Sequence, residues 1–380
     1  MISGAAGAAG LTLTLVGFFA DRRAASLSYL LAFAYWTGLA VAALLWLAVF
    51  HASSARWMTV LRRALEAFTL SLPALAVLFI PVALTLQDAF PWVHPDPHRF
   101  SPEQLEMLEN KAAYLNVPMF LARTAGYFAI WIAASELMAR WSRRQDAEGA
   151  PVLLANMRAV GTAAVPLGGL AITFAGFDWL MSLDPLWAST IFGAYYFSGS
   201  FLAAMCLLTI ITTLARRDGL FGKLVKLDHF HSMGKLMLAF TAFWAYIAFS
   251  QFMLIWAANL PEENVWYLER TVGGWKVIAS ALIAGHFVLP FFLLLSRDLK
   301  YRPRLLSAVG AWQLLMHLLD LYWIVAGASG SSPAPHWTVL TAFAGVGGVA
   351  VAVALYRARG MHTLPLKDPF LEESLRYAQP

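Results

Sequence analysis

His317 and Asp320, three apart in MHLLDLYW, form the sharpest chemical signal in the chain. On a helix that spacing puts both on one face. An imidazole hydrogen-bonded to a carboxylate is a good acceptor for the proton of a quinol hydroxyl, because the carboxylate stabilises the imidazolium. The same pair can instead be a buried polar contact that locks helices together. His286 lies about 15 Å below its end of the preceding apolar run, by the helical rise, and His317 lies at a similar depth. Two imidazoles at matched depth could ligate a b-type haem from both sides, or only bond neighbouring helices.

The next candidates are single ionisable residues within apolar runs, where they are costly and mark function by default. Asp178 stands between Phe177 and Trp179 in FAGFDWLMSLDPLWASTIFGAYYFSGS, at the end of a run. It is read as a proton carrier near His317 and Asp320, or as a cap on the turn. Asp184 precedes Pro185 and is read as a turn initiator. Arg123 needs a carboxylate or a bound anion, with Asp178 and Asp320 as possible partners. Glu136 lies within the same run as Arg123. Lys235 follows Asp228, His229 and His231. That group could gather protons at a cytoplasmic entrance, or be a solvated loop with Lys235 reaching back to the interface. Thr241, Ser250 and Gln251 form a polar stripe that permits a water wire, among aromatics that otherwise read as packing.

These residues must be held by membrane helices. Hydrophobic residues make up 60% of the 380 and charged residues 13%, about half the usual share of a soluble domain. The composition gives an all-α polytopic membrane protein, a single integral membrane domain over 1–380. Ten runs reach the length of roughly 20 apolar residues that a span needs: 4–20, 28–50, 67–87, 118–140, 157–177, 188–214, 232–258, 276–296, 304–326 and 336–356. The first is short, and lacks the basic region of a cleavable signal peptide. Pro73, Pro81, Pro166 and Pro290 lie within runs and predict kinks.

Charge sets the orientation. The loops at 51–66, 140–158, 215–231 and 297–304 and the tail from Arg357 hold nineteen Lys or Arg, against six in the alternate loops. Both termini are therefore expected in the cytoplasm. Arg22 and Arg23 conflict locally, since they fall on the outer side. Of the long outer loops, Asp88–Val117 carries Ser101-Pro102-Glu103-Gln104, which predicts a short surface helix ending near Lys111. The loop from Asn259 to Trp275 is acidic and aromatic, a composition suited to the membrane interface. The net charge of +5 follows from topology and is not a nucleic-acid signal. A single cysteine, Cys206, and no CxxCH exclude covalent c-type haem and thiolate-held iron–sulfur clusters on this chain. A secondary transporter is disfavoured, because neither a repeat nor paired broken helices are legible.

Four segments carry a family likeness: KAAYLNVPMFLARTAGYFAIW from Lys111, FDWLMSLDPLWASTIFGAYYFSGS from Phe177, GKLMLAFTAFWAYIAFSQFMLIWAANLPEE from Gly234, and HLLDLY from His317. Together they resemble an NrfD-like, polysulfide-reductase-type membrane subunit of bacterial alternative complex III, the second such subunit of that complex, over about Phe18 to Tyr322. The resemblance implies ten helices with two four-helix bundles at the centre, in a bacterial inner membrane. It implies a quinol:electron-acceptor oxidoreductase that oxidises a quinol such as menaquinol. Haem c and iron–sulfur clusters would sit in partner subunits, beside a second NrfD-like subunit, and electrons would pass to a cytochrome c or a terminal oxidase. This subunit's share would be proton conduction, a quinol site, or anchoring alone. Asp178, His286, His317 and Asp320 are then the outer proton candidates; Glu136, His229, His231 and Lys235 are the inner ones.

Overall fold

Ten helices among the described residues are long and apolar enough to cross a membrane. The structure is a computed structural model that describes residues 2–219, 224–328, 330 and 333–379. Parts of the 215–231 and 327–335 loops lie outside the described residues. The spans, in order, are Ile2–Ala20, Arg22–Ala52, Arg62–Leu84, Val117–Glu148, Pro151–Leu183, Phe192–Arg217, Leu227–Ala258, Gly274–Leu295, Pro303–Gly327 and Thr338–Arg357. No strand occurs among the described residues. The chain is an all-α polytopic membrane protein.

The spans overlap all ten expected runs, and the boundaries differ where local signals outrun hydropathy. The fourth span continues through the charged stretch to Glu148, and the fifth begins at Pro151. The expected loop at 140–158 shrinks to a turn. Gly149 takes the left-handed conformation (φ 67°) that ends one helix, and Pro151 opens the next. The third span is broken as its prolines predict, into Arg62–Thr69, Leu72–Leu78 and Ile80–Leu84. Pro166 sits inside an unbroken helix, Pro151–Trp179. Pro290 follows a π-helical turn, Ile283–Val288.

Packing sorts the spans into two groups of four with a flanking pair. The second span packs on the third and fifth, and the fourth packs on the fifth. The sixth packs on the seventh and ninth, and the eighth on both of those. The second and sixth spans join the groups. The second is buried along almost its whole length, which explains its run of Ala and Leu: every side meets protein.

The first and tenth spans lie beside the second. Their approach is set by glycine. A Cβ on Gly10 would lie 2.5 Å from the Gly345 nitrogen, and one on Gly348 would lie 2.5 Å from the Gly7 nitrogen. Small residues let helix backbones touch where no hydrophobic effect drives association. Gly10→Val is therefore expected to destabilise the protein by about 1–3 kcal/mol. Gly126→Ala, where nothing lies within 4 Å of the added carbon, should stay within about 0.5 kcal/mol. Thermal denaturation of both variants in detergent checks this, and equal melting of the two would refute the glycine contact.

The C-terminal tail ties the basic loops into one face. Ser374 accepts from the Val60 amide at 3.1 Å and donates to the Trp57 carbonyl at 2.8 Å. Asp368 pairs with buried Arg62, and the Lys367 carbonyl accepts from Gln145 at 3.0 Å. Beneath it lies an ionic network that sequence reading largely missed. Glu66 meets Arg62 at 3.1 Å and Arg63 at 2.7 Å, Arg63 also pairs with Asp146, and the Ser142 hydroxyl donates to Glu66. Glu66 lies four and three residues after Arg62 and Arg63 on one helix, a spacing that pairs them, whereas Ser142, Asp146 and Asp368 come from other segments, which spacing could not reveal.

On the opposite face, the surface helix Pro102–Asn110 forms with the expected Ser101 cap, and Gln104 closes the reciprocal bond. The loop after Asn259 holds a second helix, Pro261–Glu269. Its Trp266 is buried, stacked on Trp187 with ring centres 4.5 Å apart. The helix presents its aromatic face to the loop at 184–191, which hydropathy cannot anticipate. Arg22 bonds Asp88 at 2.7 Å, which offsets the locally misplaced positive charge.

Candidate functional site

The ninth span carries Gln313, His317 and Asp320 on one buried face. Spacing of four and three keeps them together on a helix. That face meets the sixth, seventh and eighth spans at the middle of the second four-helix group. Asp320 accepts a hydrogen bond from the Tyr195 hydroxyl and another from the Trp244 indole N–H at 3.2 Å. Asp320 is 2% exposed, and neither Tyr195 nor Trp244 is a cation. Proton uptake would therefore cancel the charge at this cluster.

The expected bond between His317 and Asp320 is not made. The carboxylate turns toward Tyr195 and Trp244, and the imidazole lies against Tyr35, with ring centres 5.3 Å apart. Gly199 makes room for it: a Cβ there would lie 2.9 Å from Cε1 and Nδ1 of His317. His286 does join the cluster. Its ring centre is 6.4 Å from that of His317 and 3.9 Å from that of Trp244. The π-helical turn carries His286, and the Trp312 indole donates to the Gly285 carbonyl at 2.7 Å within that turn. Such insertions in α-helices recur at functional sites. A b-type haem does not fit between these imidazoles, since Trp244 covers one ring and the Gly199 backbone abuts the other.

Both nitrogens of His286 and both of His317 lack a hydrogen-bond partner among the described residues, and both side chains are almost fully buried. A neutral imidazole offers one donor and one acceptor. Buried polar atoms in native proteins nearly always have partners. The two rings thus bring two donors and two acceptors into the same cluster as a carboxylate and a phenol that can exchange a proton. Gln313 extends the polar face one turn, donating to Thr241 at 2.9 Å.

The other candidates fall into separate places. Arg123 clamps Asp178 through two bonds of 2.9 Å each, and the Tyr127 hydroxyl adds a third at 2.7 Å. Arg123 also donates to the Tyr114 carbonyl at 2.9 Å and covers the Tyr114 ring. Of its two possible partners, Arg123 takes Asp178. Asp178 is thus a compensated ion in the first four-helix group, apart from the Asp320 constellation. Asp184 does more than start a turn: it accepts from buried Arg270 at 2.6 Å. Burial holds the Arg270 guanidinium below its ordinary arginine range, and Asp184 opposes that.

On the basic face, Glu136 pairs with Arg357 at 2.6 and 2.8 Å. His229 uses both ring nitrogens, taking the Lys226 amide and meeting the Ser374 carbonyl, each at 3.1 Å. His231 and Lys235 both hold Gln379, at 3.1 and 2.6 Å. These residues clasp the tail and do not converge on the buried cluster. Gln251 bonds Ser189 and Tyr267, while Thr241 bonds Gln313, so the polar stripe divides between two neighbourhoods.

Sequence reading missed Tyr195, Tyr35 and Gln313 as cluster members and took Trp244 for packing. The signal for two of them was present: Gln313 continues the His317 face, and Tyr195 and Gly199 are four apart. No group of three or more His, Cys, Asp or Glu that could hold a metal ion occurs among the described residues. In comparisons with known proteins, no family model matches the chain and no curated protein matches it.

Proposed function

We propose that this chain is a membrane subunit of a quinol-oxidising respiratory complex, the NrfD-like subunit of an alternative complex III, and that it moves protons at the cluster of Tyr195, His286, His317 and Asp320. The single observation that carries the proton role is the pair of buried imidazoles, with four unpartnered nitrogens among the described residues, on the same cluster as a buried carboxylate that takes its hydrogen bonds from the neutral donors Tyr195 and Trp244. The four segments that resemble the family carry the assignment to that complex. In this reading both termini face the cytoplasm of a bacterial inner membrane. Oxidising a quinol to a quinone releases two protons and two electrons. The protons pass to the imidazoles and Asp320. The electrons leave through iron–sulfur clusters and haems c of partner subunits toward a cytochrome c or a terminal oxidase. The chain acts only within the assembled complex.

A scaffold role is the second reading, and the braced ion pairs Arg123–Asp178 and Arg270–Asp184 favour it. Substituting His317→Leu together with Asp320→Leu in the assembled complex separates the two. The proton reading expects loss of quinol turnover and proton release with all subunits present. Unchanged turnover and proton release would leave only the scaffold.

A further inference from the structure

At the basic face, the ends of the sixth, seventh and ninth spans surround a groove of about 960 Å³. Arg216 and Arg217 close the sixth span, and Arg302 and Arg304 flank the first residue of the ninth. All four line the groove, and no carboxylate among the described residues does. None of the four has an ion-pair partner among the described residues. By contrast, Arg56, Arg62, Arg63, Arg144 and Arg357 on the same face each meet a carboxylate.

The positive-inside bias explains why arginines lie on this side. It does not explain why four of them share one groove without a carboxylate. Like charges gathered there repel one another, and a bound anion offsets that repulsion. The carboxylates nearest in sequence do not do so. Asp228 is taken by the Tyr301 hydroxyl at 3.1 Å, and Asp218, next to Arg217, forms no ion pair among the described residues. Guanidinium groups match phosphate oxygens in paired hydrogen bonds.

The other walls make the groove amphipathic. Leu214, Leu227 and Leu305, one from each of the three spans, line it and are exposed. Thr213 and Ser307 line it as well, each four residues from the end of its span, about 6 Å along the helix. The Ser307 hydroxyl donates to that of Thr213 at 2.7 Å. The groove thus runs from arginines at the span ends to leucines and hydroxyls within the first turn. A free anion gains nothing from the leucines, whereas a lipid places acyl chains on them. One phosphodiester brings one negative charge against four guanidinium groups, and two phosphodiesters on one lipid bring two. We propose that this groove holds a diphosphate glycerophospholipid of the cardiolipin class, one phosphate at Arg216 and Arg217, the other at Arg302 and Arg304. Basic pockets between spans recur as sites for such head groups. The site does not rest on the quinol reading.

The test is native mass spectrometry of the full-length chain in detergent, titrated at equal total phosphate with tetraoleoyl cardiolipin, dioleoyl phosphatidylglycerol or dioleoyl phosphatidylcholine. Wild type should retain cardiolipin best and the zwitterionic lipid least. Arg216→Gln and Arg302→Gln, one from each pair, should each weaken cardiolipin retention about fivefold, the effect of one basic residue at an anionic surface. Arg140→Gln, a control on an exposed arginine outside the groove, should not. Retention of cardiolipin no better than that of phosphatidylglycerol would overturn the proposal, as would wild-type retention by both groove variants or equal loss in the control. Displacement of the lipid by millimolar pyrophosphate would also overturn it, in favour of a free-anion site.

Discussion

Asp320→Asn is expected, on the proposed proton role, to lower quinol oxidation by the assembled complex by about 10²–10⁴-fold, the usual worth of a positioned proton-transfer group. The substitution nearly preserves size and shape. Its amide oxygen still accepts from the Trp244 indole, and its NH₂ can donate to the Tyr195 oxygen, so the bonds that Asp320 makes can be replaced in kind. What disappears is the site for a proton. Tyr195→Phe tests the neighbouring step: it keeps the carboxylate and removes one of its donors, and a smaller loss is expected. Turnover with a soluble quinol, proton release by the complex in vesicles, and subunit content of the purified complex are the measurements. An Asp320→Asn complex that is fully assembled and as active as wild type would remove Asp320 from the mechanism.

Arg123→Leu should be strongly destabilising. Asp178 is fully buried and the Arg123 side chain is 15% exposed, so removing the guanidinium leaves an uncompensated charge inside the protein. Breaking a buried pair from one side costs about 3–5 kcal/mol. Tyr127 still donates to Asp178, but a neutral hydroxyl does not replace a bidentate cation. The double variant Arg123→Leu, Asp178→Leu removes both charges and should recover most of the loss, because a buried ion pair contributes little over apolar side chains of similar volume. Accumulation in membranes and thermal denaturation of the two variants decide the matter. A single variant as stable as wild type, or a double variant no better than the single, would show that the pair does not brace the first four-helix group.

Much of the scaffold was legible before any coordinates. Length and apolarity alone set the number of spans, because a bilayer accepts only helices whose backbone bonds are satisfied within the segment. Local signals set several boundaries: Ser101 and Pro102 at a helix start, and Pro73 and Pro81 at breaks, while the turn at Gly149 and Pro151 lay hidden in the longer loop expected at 140–158. The second span is longer than its apolar run because Asp21 caps it and accepts from the Ala24 amide. Each of these rests on residues a few positions apart.

The candidate site was legible only in part, and the division follows the range of the interactions. Spacing of three placed His317 and Asp320 on one face, and depth brought His286 alongside. Spacing did not say where the Asp320 carboxylate points, because Tyr195 and Trp244 come from other helices, 125 and 76 residues away. It did not say that Arg123 takes Asp178, or that Arg270 reaches Asp184 across 86 residues. The inner histidines read as proton collectors because they are clustered in sequence. The tail, more than 140 residues on, turns them into clasps. By itself, then, the sequence determined that this is a ten-span membrane protein, which runs cross and which residues are costly to bury. Tertiary structure alone decided which buried charges are compensated and which polar groups gather in one cluster, because those groups meet only when helices distant in the chain pack together.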